Sequence, residues 1–173
     1  ALAQDKSGRL FALERSWSDL RSKVLRQVRD ANFFHDPLRV FRAARLAAQL
    51  PDFTLAGELE DLMSRVGRSG ALGRLSPERV GQEVFKASAA PHPGRFLRIL
   101  DRTSSLAPWL KELVQADDVP AGPPEFHESS LLEHTARVMD LLAGSPIQVW
   151  MALCHDLGKA LTPESAWPHH HGH

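Results

Sequence analysis

Asp36-Pro37-Leu38-Arg39-Val40-Phe41-Arg42-Ala43-Ala44-Arg45 reads as a helix with its start written in, and the rest of the chain repeats the pattern. Asp36 can cap, and Pro37 can take the first helical position, where a missing N–H costs nothing. Leu38, Phe41, Leu46 and several alanines make an apolar side, and Pro51-Asp52 ends the element. Ser76-Pro77 opens a helix in the same way, running to about residue 90, and Ser145-Pro146 opens another. Between them the spacing predicts a helix from Thr54 or Ala56 to about Val66, closed by Gly67 and Gly70. Pro91-His92-Pro93-Gly94 reads as a break, followed by shorter helices near residues 95–101 and 107–114. Residues 130–143 are helical, with Gly144 as the stop.

No convincing strand pattern follows residue 30, and no repeat is present. The expected architecture is all-α, in two helical units over residues 31–118 and 119–173. Residues 117–124, with three prolines and a glycine, are the best linker between them. Residues 1–30 read as the end of something else. A turn and short strand are expected over residues 8–12, and Leu20, Val24, Leu25 and Val28 have helical spacing.

A length of 173 residues suits one ordinary domain or two small helical ones, and 43% hydrophobic with 24% charged residues excludes a disordered or fibrous chain. No apolar run approaches the roughly 18 residues that a membrane span needs, and the N-terminus lacks a signal-peptide layout, so no membrane partner is expected. The single cysteine, Cys154, excludes an internal disulfide and suggests a reducing, cytoplasmic setting.

The net charge of zero hides an asymmetry. Residues 1–50 hold ten Lys/Arg against five Asp/Glu, whereas residues 101–173 hold four against ten, with eight of the nine histidines after residue 91. A basic front suits a polyanion such as nucleic acid, and an acidic, histidine-rich back suits a divalent metal. Two solvated surfaces of opposite sign are the alternative.

Leu153-Cys154-His155-Asp156-Leu157-Gly158-Lys159 carries the sharpest chemistry. Neighbours on a helix diverge by about 100°, so His155 and Asp156 can serve one ion only if the helix ends there, which Gly158 permits. His134 lies one helix and one turn upstream. Nitrogen and oxygen donors of this kind suit Mn, Fe, Ni, Zn or Mg, and such an ion acidifies a bound water for attack on a phosphate ester. Lys159 could hold a phosphate. The alternative is a capping His155 with Asp156 paired to Lys159.

The arginine helix has its own reading. Asp36 and Arg39, three apart, share a face of the first turn. A carboxylate accepting from an exocyclic amine and a guanidinium donating to ring acceptors could together read a nucleobase edge. Arg42 and Arg45 continue the stripe toward phosphates. A capping aspartate with a solvated basic face remains the alternative.

Taken with these residues, the chain resembles two known families. His134 with His155-Asp156-Leu157-Gly158-Lys159 resembles the HD superfamily of metal-dependent phosphohydrolases, whose fourth ligand is an aspartate well downstream of the pair. Residues 34–48 resemble the neck helix of the bacterial class II tRNA nucleotidyltransferase (CCA-adding) and poly(A) polymerase family. There a Glu-Asp-x-x-Arg motif pairs with the incoming CTP or ATP base. Asp36 and Arg39 match it, and His35 replaces its acidic residue. Leu75-Ser76-Pro77-Glu78-Arg79-Val80-Gly81-Gln82-Glu83 is similar to the family's Glu-Arg-Val motif, which implies a structural ion-pair set of Glu78, Arg79 and Glu83.

The order of motifs implies a short remnant of an α/β nucleotidyltransferase head over residues 1–30, then a neck and body over 31–118, then a partial HD domain over 119–173. The head's metal-binding carboxylates are absent from these residues, so a fragment of a larger enzyme is expected rather than a headless relative. That enzyme would add CMP and AMP to tRNA 3′ ends from CTP and ATP with Mg. A non-catalytic RNA- or nucleotide-binding helical module and a stand-alone HD phosphohydrolase are the alternatives, and a homodimer is left open. His169-His170-His171-Gly172-His173 resembles the segment after the HD pair in the bacterial enzymes. It is expected either to bind a second metal or phosphate, or to be a surface end.

Overall fold

The computed structural model describes residues 2–12, 15–125 and 129–171. A hairpin opens the chain: β1 (Leu2–Gln4) pairs antiparallel with β2 (Leu10–Ala12), as the turn-and-strand pattern predicts. Asp5 closes the turn, its Oδ1 accepting from the Ser7 and Arg9 amides at 2.9 Å each.

The helical spacing of Leu20 to Val28 does not make one helix. α1 (Ser16–Arg21) stops early, Lys23 takes a positive φ of 53°, and the chain extends as β3 (Val24–Leu25). The reason is tertiary. β3 pairs in parallel with β4 (Thr54–Leu55), and Lys23 and Leu25 carbonyls accept from the Thr54 and Ala56 amides at 2.9 Å. That ladder satisfies main-chain groups while Val24 and Leu25 pack on the core, which a local pattern cannot reveal. β4 is likewise a strand where none was expected, so the helix predicted from residue 54 or 56 begins later, as α4 (Gly57–Arg68).

After the short α2 (Ala31–His35), the arginine helix is α3 (Arg39–Gln49). Asp36 does not cap it. Leu38 occupies the cap position without a side-chain bond, and a turn precedes it in which Arg39 and Val40 amides donate to the Asp36 and Pro37 carbonyls. α3 buries Val40, Phe41 and four alanines, whose small side chains let neighbouring helices approach closely.

α5 (Pro77–Ser88) starts as predicted, with Ser76 Oγ accepting from the Arg79 amide at 3.4 Å. α6 (Pro93–Arg102) uses Pro93 as its own first residue, so the break at residues 91–94 is shorter than expected. Residues 107–114 give only a 3-10 turn at Lys111–Leu113. Their apolar groups are drawn to separate anchors: Leu113 is buried, and Trp109 Nε1 donates to the Leu72 carbonyl at 2.9 Å.

α7 (Leu131–Leu141) is capped by Ser130 Oγ on the Glu133 amide at 3.2 Å, and α8 (Pro146–Cys154) follows. α6 lies between α3 and α7, and α7 packs on α8, so one apolar cluster runs from Phe41 and Phe96 to Leu131 and Val149. Gly94 is where α6 and α7 meet most closely: a Cβ there would fall on the Ala136 carbonyl. Arg98 clamps the same seam, reaching Glu133 at 2.7 Å and Asp140 at 2.8 Å. Residues 117–124 are irregular but not a free tether. Val119 and Ala121 are buried, and the Leu131 amide donates to the Val119 carbonyl at 2.7 Å.

Candidate functional site

Two candidate sites emerge, one formed by α7 and the end of α8 and one on α3. At the first, α7 supplies His134 and the C-terminus of α8 supplies His155 and Asp156. The helix does end there, so imidazole and carboxylate converge as the sequence requires. Asp156 Oδ2 lies 3.1 Å from His155 Nε2 and 3.6 Å from His134 Nε2, and one donor atom from each residue falls within 4.8 Å of the others. This is the one group of three such donors among the described residues.

The donor chemistry fits a metal ion. His155 Nδ1 lies 2.7 Å from the Ala152 carbonyl, which can only accept, so Nδ1 donates and Nε2 is the nitrogen turned to Asp156, where a proton or a metal ion can sit between the two. Lys159 Nζ is on the same Oδ2 at 2.9 Å and also donates to the Ala121 carbonyl at 2.8 Å. The lysine expected to meet a phosphate therefore balances the aspartate here. Burial pulls the Asp156 pKa upward, but Lys159 and both imidazoles outweigh it and hold the carboxyl below its ordinary value.

The terminal histidines divide by position. His170 is fully buried, with Nε2 2.8 Å from the Pro120 carbonyl and Nδ1 2.6 Å from Thr162 Oγ1. It ties the tail to residues 117–124, which corrects the expectation of a surface end at that position. His169 and His171 stack outside it with ring centroids 5.5 Å apart, and Gly172 and His173 lie outside the described residues.

The second site is built on α3. Arg39 and Arg42 line a pocket of about 330 Å³ with Arg26, Gln27, Phe33 and Leu46 among its other walls. Asp36 is not in that wall. Its carboxylate accepts from Arg79 Nη2 at 2.9 and 3.2 Å, and the pair lines a separate cavity with His35 and Arg74. Arg45 turns inward and binds Glu83 at 2.6 Å, its side chain 13% exposed against 8% for Glu83. Glu78 is exposed in the first turn of α5.

The two motifs are thus cross-linked, Asp36 to Arg79 and Arg45 to Glu83, rather than one serving the ligand and the other only the scaffold. This geometry separates Asp36 from Arg39 and removes Arg45 from the arginine stripe. Gln27 and Phe33 were missed because they precede the motif, on segments whose placement depends on β3 meeting β4.

The fold is mostly helical and carries an arginine-lined pocket on α3 and a His–His–Asp group formed by α7 and the end of α8. Comparison with known proteins shows what it is similar to. Over its whole length the chain is homologous to proteins named Multifunctional CCA protein. It is 39% identical to the one from Pasteurella multocida, 41% to that of Shewanella frigidimarina and 42% to that of Vibrio cholerae. All of this chain is covered in each case, but it spans only 43 to 44% of those relatives' length.

Among solved structures, the chain resembles a CCA-adding enzyme in complex with ATP, with a TM-score of 0.56 at 20% identity over 91% of this chain and 42% of that one. A tRNA-processing enzyme in an apo form matches with a TM-score of 0.53, over 91% of this chain and 44% of the other. No protein-family model matches. No helix among the described residues is long and apolar enough to cross a membrane.

Proposed function

We propose that this chain is the nucleotide- and RNA-handling helical part of an enzyme that adds C, C and A to tRNA 3′ ends. Its whole-length identity of about 40% to proteins named Multifunctional CCA protein carries the reading. In the proposed reaction the tRNA 3′-hydroxyl oxygen attacks the α-phosphorus of CTP or ATP, and pyrophosphate leaves. The carboxylates that hold Mg for this step are not in these residues, and the proposal places them in the remainder of a protein of the relatives' length. The division into residues 1–30, 31–118 and 119–173 and a cytoplasmic location go with it.

Within this chain, the pocket beneath Arg39 and Arg42 receives the base, as its apolar walls and cationic rim support. Asp36 lies one turn away and reaches the pocket only if released from Arg79. Arg42, exposed at the pocket, and the basic residues of the N-terminal half meet phosphates. Arg45 and Glu83, with Asp36 and Arg79, hold α3 against α5 so that the pocket keeps its shape.

His134, His155 and Asp156 would hold a divalent ion, Mn, Ni, Fe, Zn or Mg, which would supply an acidified water for hydrolysis of a phosphoester. Lys159 would keep Asp156 ionised before the ion arrives and turn to the phosphate afterwards.

The test is CCA addition by the full-length gene product on tRNA transcripts lacking their last three nucleotides. Incorporation of CMP and then AMP, reduced at least about tenfold by Arg39→Ala, is expected. No incorporation with CTP, ATP and Mg would overturn the reading. Hydrolysis of 2′,3′-cyclic AMP with Mn or Ni, abolished by His155→Ala, tests the second centre separately.

A further inference from the structure

Two cavities border the turn between α2 and α3. One is the α3 pocket, to which α2 contributes Asn32 and Phe33. The other, of about 390 Å³, is lined by Phe34, His35 and Asp36 and by Arg74, Leu75 and Arg79. Its volume is that of a ligand pocket, and four of these six side chains are charged or can become so.

Those charges do not balance. Arg79 is spent on Asp36, with Nη2 at 2.9 and 3.2 Å from the two carboxylate oxygens. Arg74 and His35 are exposed, and among the described residues neither makes an ion pair or a side-chain hydrogen bond. One guanidinium is therefore left over, and the His35 imidazole adds a neutral donor to the same lining.

Arg74 stands on a fixed backbone. It ends a 3-10 turn (Ala71–Arg74) that starts from Gly70 at a φ of 73°, and Leu72 and Leu75 in that turn and just after it are buried. Trp109 Nε1 holds the Leu72 carbonyl at 2.9 Å. A cation on a backbone anchored in this way loses little further freedom when an anion arrives.

The size of the surplus indicates the ligand. A phosphodiester carries one negative charge, which one guanidinium complements. A nucleoside triphosphate carries several and comes with Mg, for which this lining offers only Asp36, already engaged by Arg79. Nucleotidyl transfer also needs two substrates side by side, the incoming nucleotide and the strand end that attacks it, and two cavities border one turn here. Phe34, 42% exposed, adds an aromatic face of the kind on which unpaired bases stack.

We propose that the cavity of His35, Arg74 and Arg79 binds a backbone phosphate near the 3′ end of the RNA strand being extended, with Arg74 as its charged contact. The proposal rests on the reading of this chain as part of a CCA-adding enzyme. It gives a role to Arg74, which lies outside both sequence motifs.

The test is steady-state kinetics of the full-length gene product, with KM read separately for CTP and for a tRNA transcript lacking its last three nucleotides. Arg74→Ala should raise the KM for tRNA at least about fivefold and change that for CTP less than about twofold. It should also lower the slope of log tRNA affinity against log salt by about one, a change that a merely structural role would not produce. Arg74→Lys, which keeps the charge, should restore most of both. Melting of Arg74→Ala should match wild type, because the side chain makes no bond within the described residues. A raised KM for CTP with that for tRNA unchanged would assign the cavity to the triphosphate and overturn the proposal. If neither KM moves, the proposal fails while CCA addition stands. A wild-type protein that incorporates no nucleotide would sink both.

Discussion

Asp156 is 8% exposed and has nitrogens of three residues within 3.6 Å of Oδ2. Such a carboxylate has its charge in demand, and Asp156→Asn should weaken binding of Mn or Ni by at least about tenfold in calorimetry while leaving the melting profile cooperative. Glu133, one residue from His134, makes a cleaner probe of pH. The hydrogen bonds from Arg98 come first among the effects that hold its carboxyl below the ordinary value, with Arg137 adding to them against burial. A depressed folded-state pKa contributes stability above the unfolded value of about 4.3 and loses it as pH falls through the folded value. The stability gap between wild type and Glu133→Gln should therefore be constant from pH 7 to about 5 and close below 4, read from urea midpoints at each pH. A gap that widened in acid would contradict the Arg98 clamp.

Between elements, the α3–α5 and α6–α7 contacts have different characters and should fail differently. Arg45 and Glu83 are an ion pair with little exposure, so removing one partner strands a charge. Glu83→Leu alone should cost about 3–5 kcal/mol, and the Arg45→Met, Glu83→Leu double variant should recover most of it in denaturant melts. The α6–α7 seam has, beside the Arg98 clamp, a point of close steric contact at Gly94. Gly94→Ala puts a methyl group onto the Ala136 carbonyl and should cost about 1–3 kcal/mol or more. Most helix starts were legible because Ser-Pro and Pro-initiated turns are local signals, and Ser76 and Ser130 cap as their spacing demands. Asp36 did not, because Arg79 competes for its carboxylate across a sequence distance that no local rule spans.

For the molecule as a whole, the charge is divided along the chain, with ten Lys/Arg against five Asp/Glu in residues 1–50 and four against ten in residues 101–173. On the proposed function, binding of tRNA should weaken steeply with salt, and Arg42→Ala should lower the slope of log affinity against log salt by about one. An unchanged slope would remove Arg42 from the phosphate contacts. The sequence by itself determined the mostly helical class, many of the helix boundaries and the placing of His155 and Asp156 at the end of α8, because capping residues and apolar periodicity act within a few residues. Only the tertiary structure decided where the ion pairs go, that Val24 and Leu25 meet Thr54 and Leu55 as strands, and that Gln27 rather than Asp36 shares a wall with Arg39. Those outcomes turn on which groups meet after the chain has closed on itself, and a carboxylate or a strand edge takes the partner that packing brings to it.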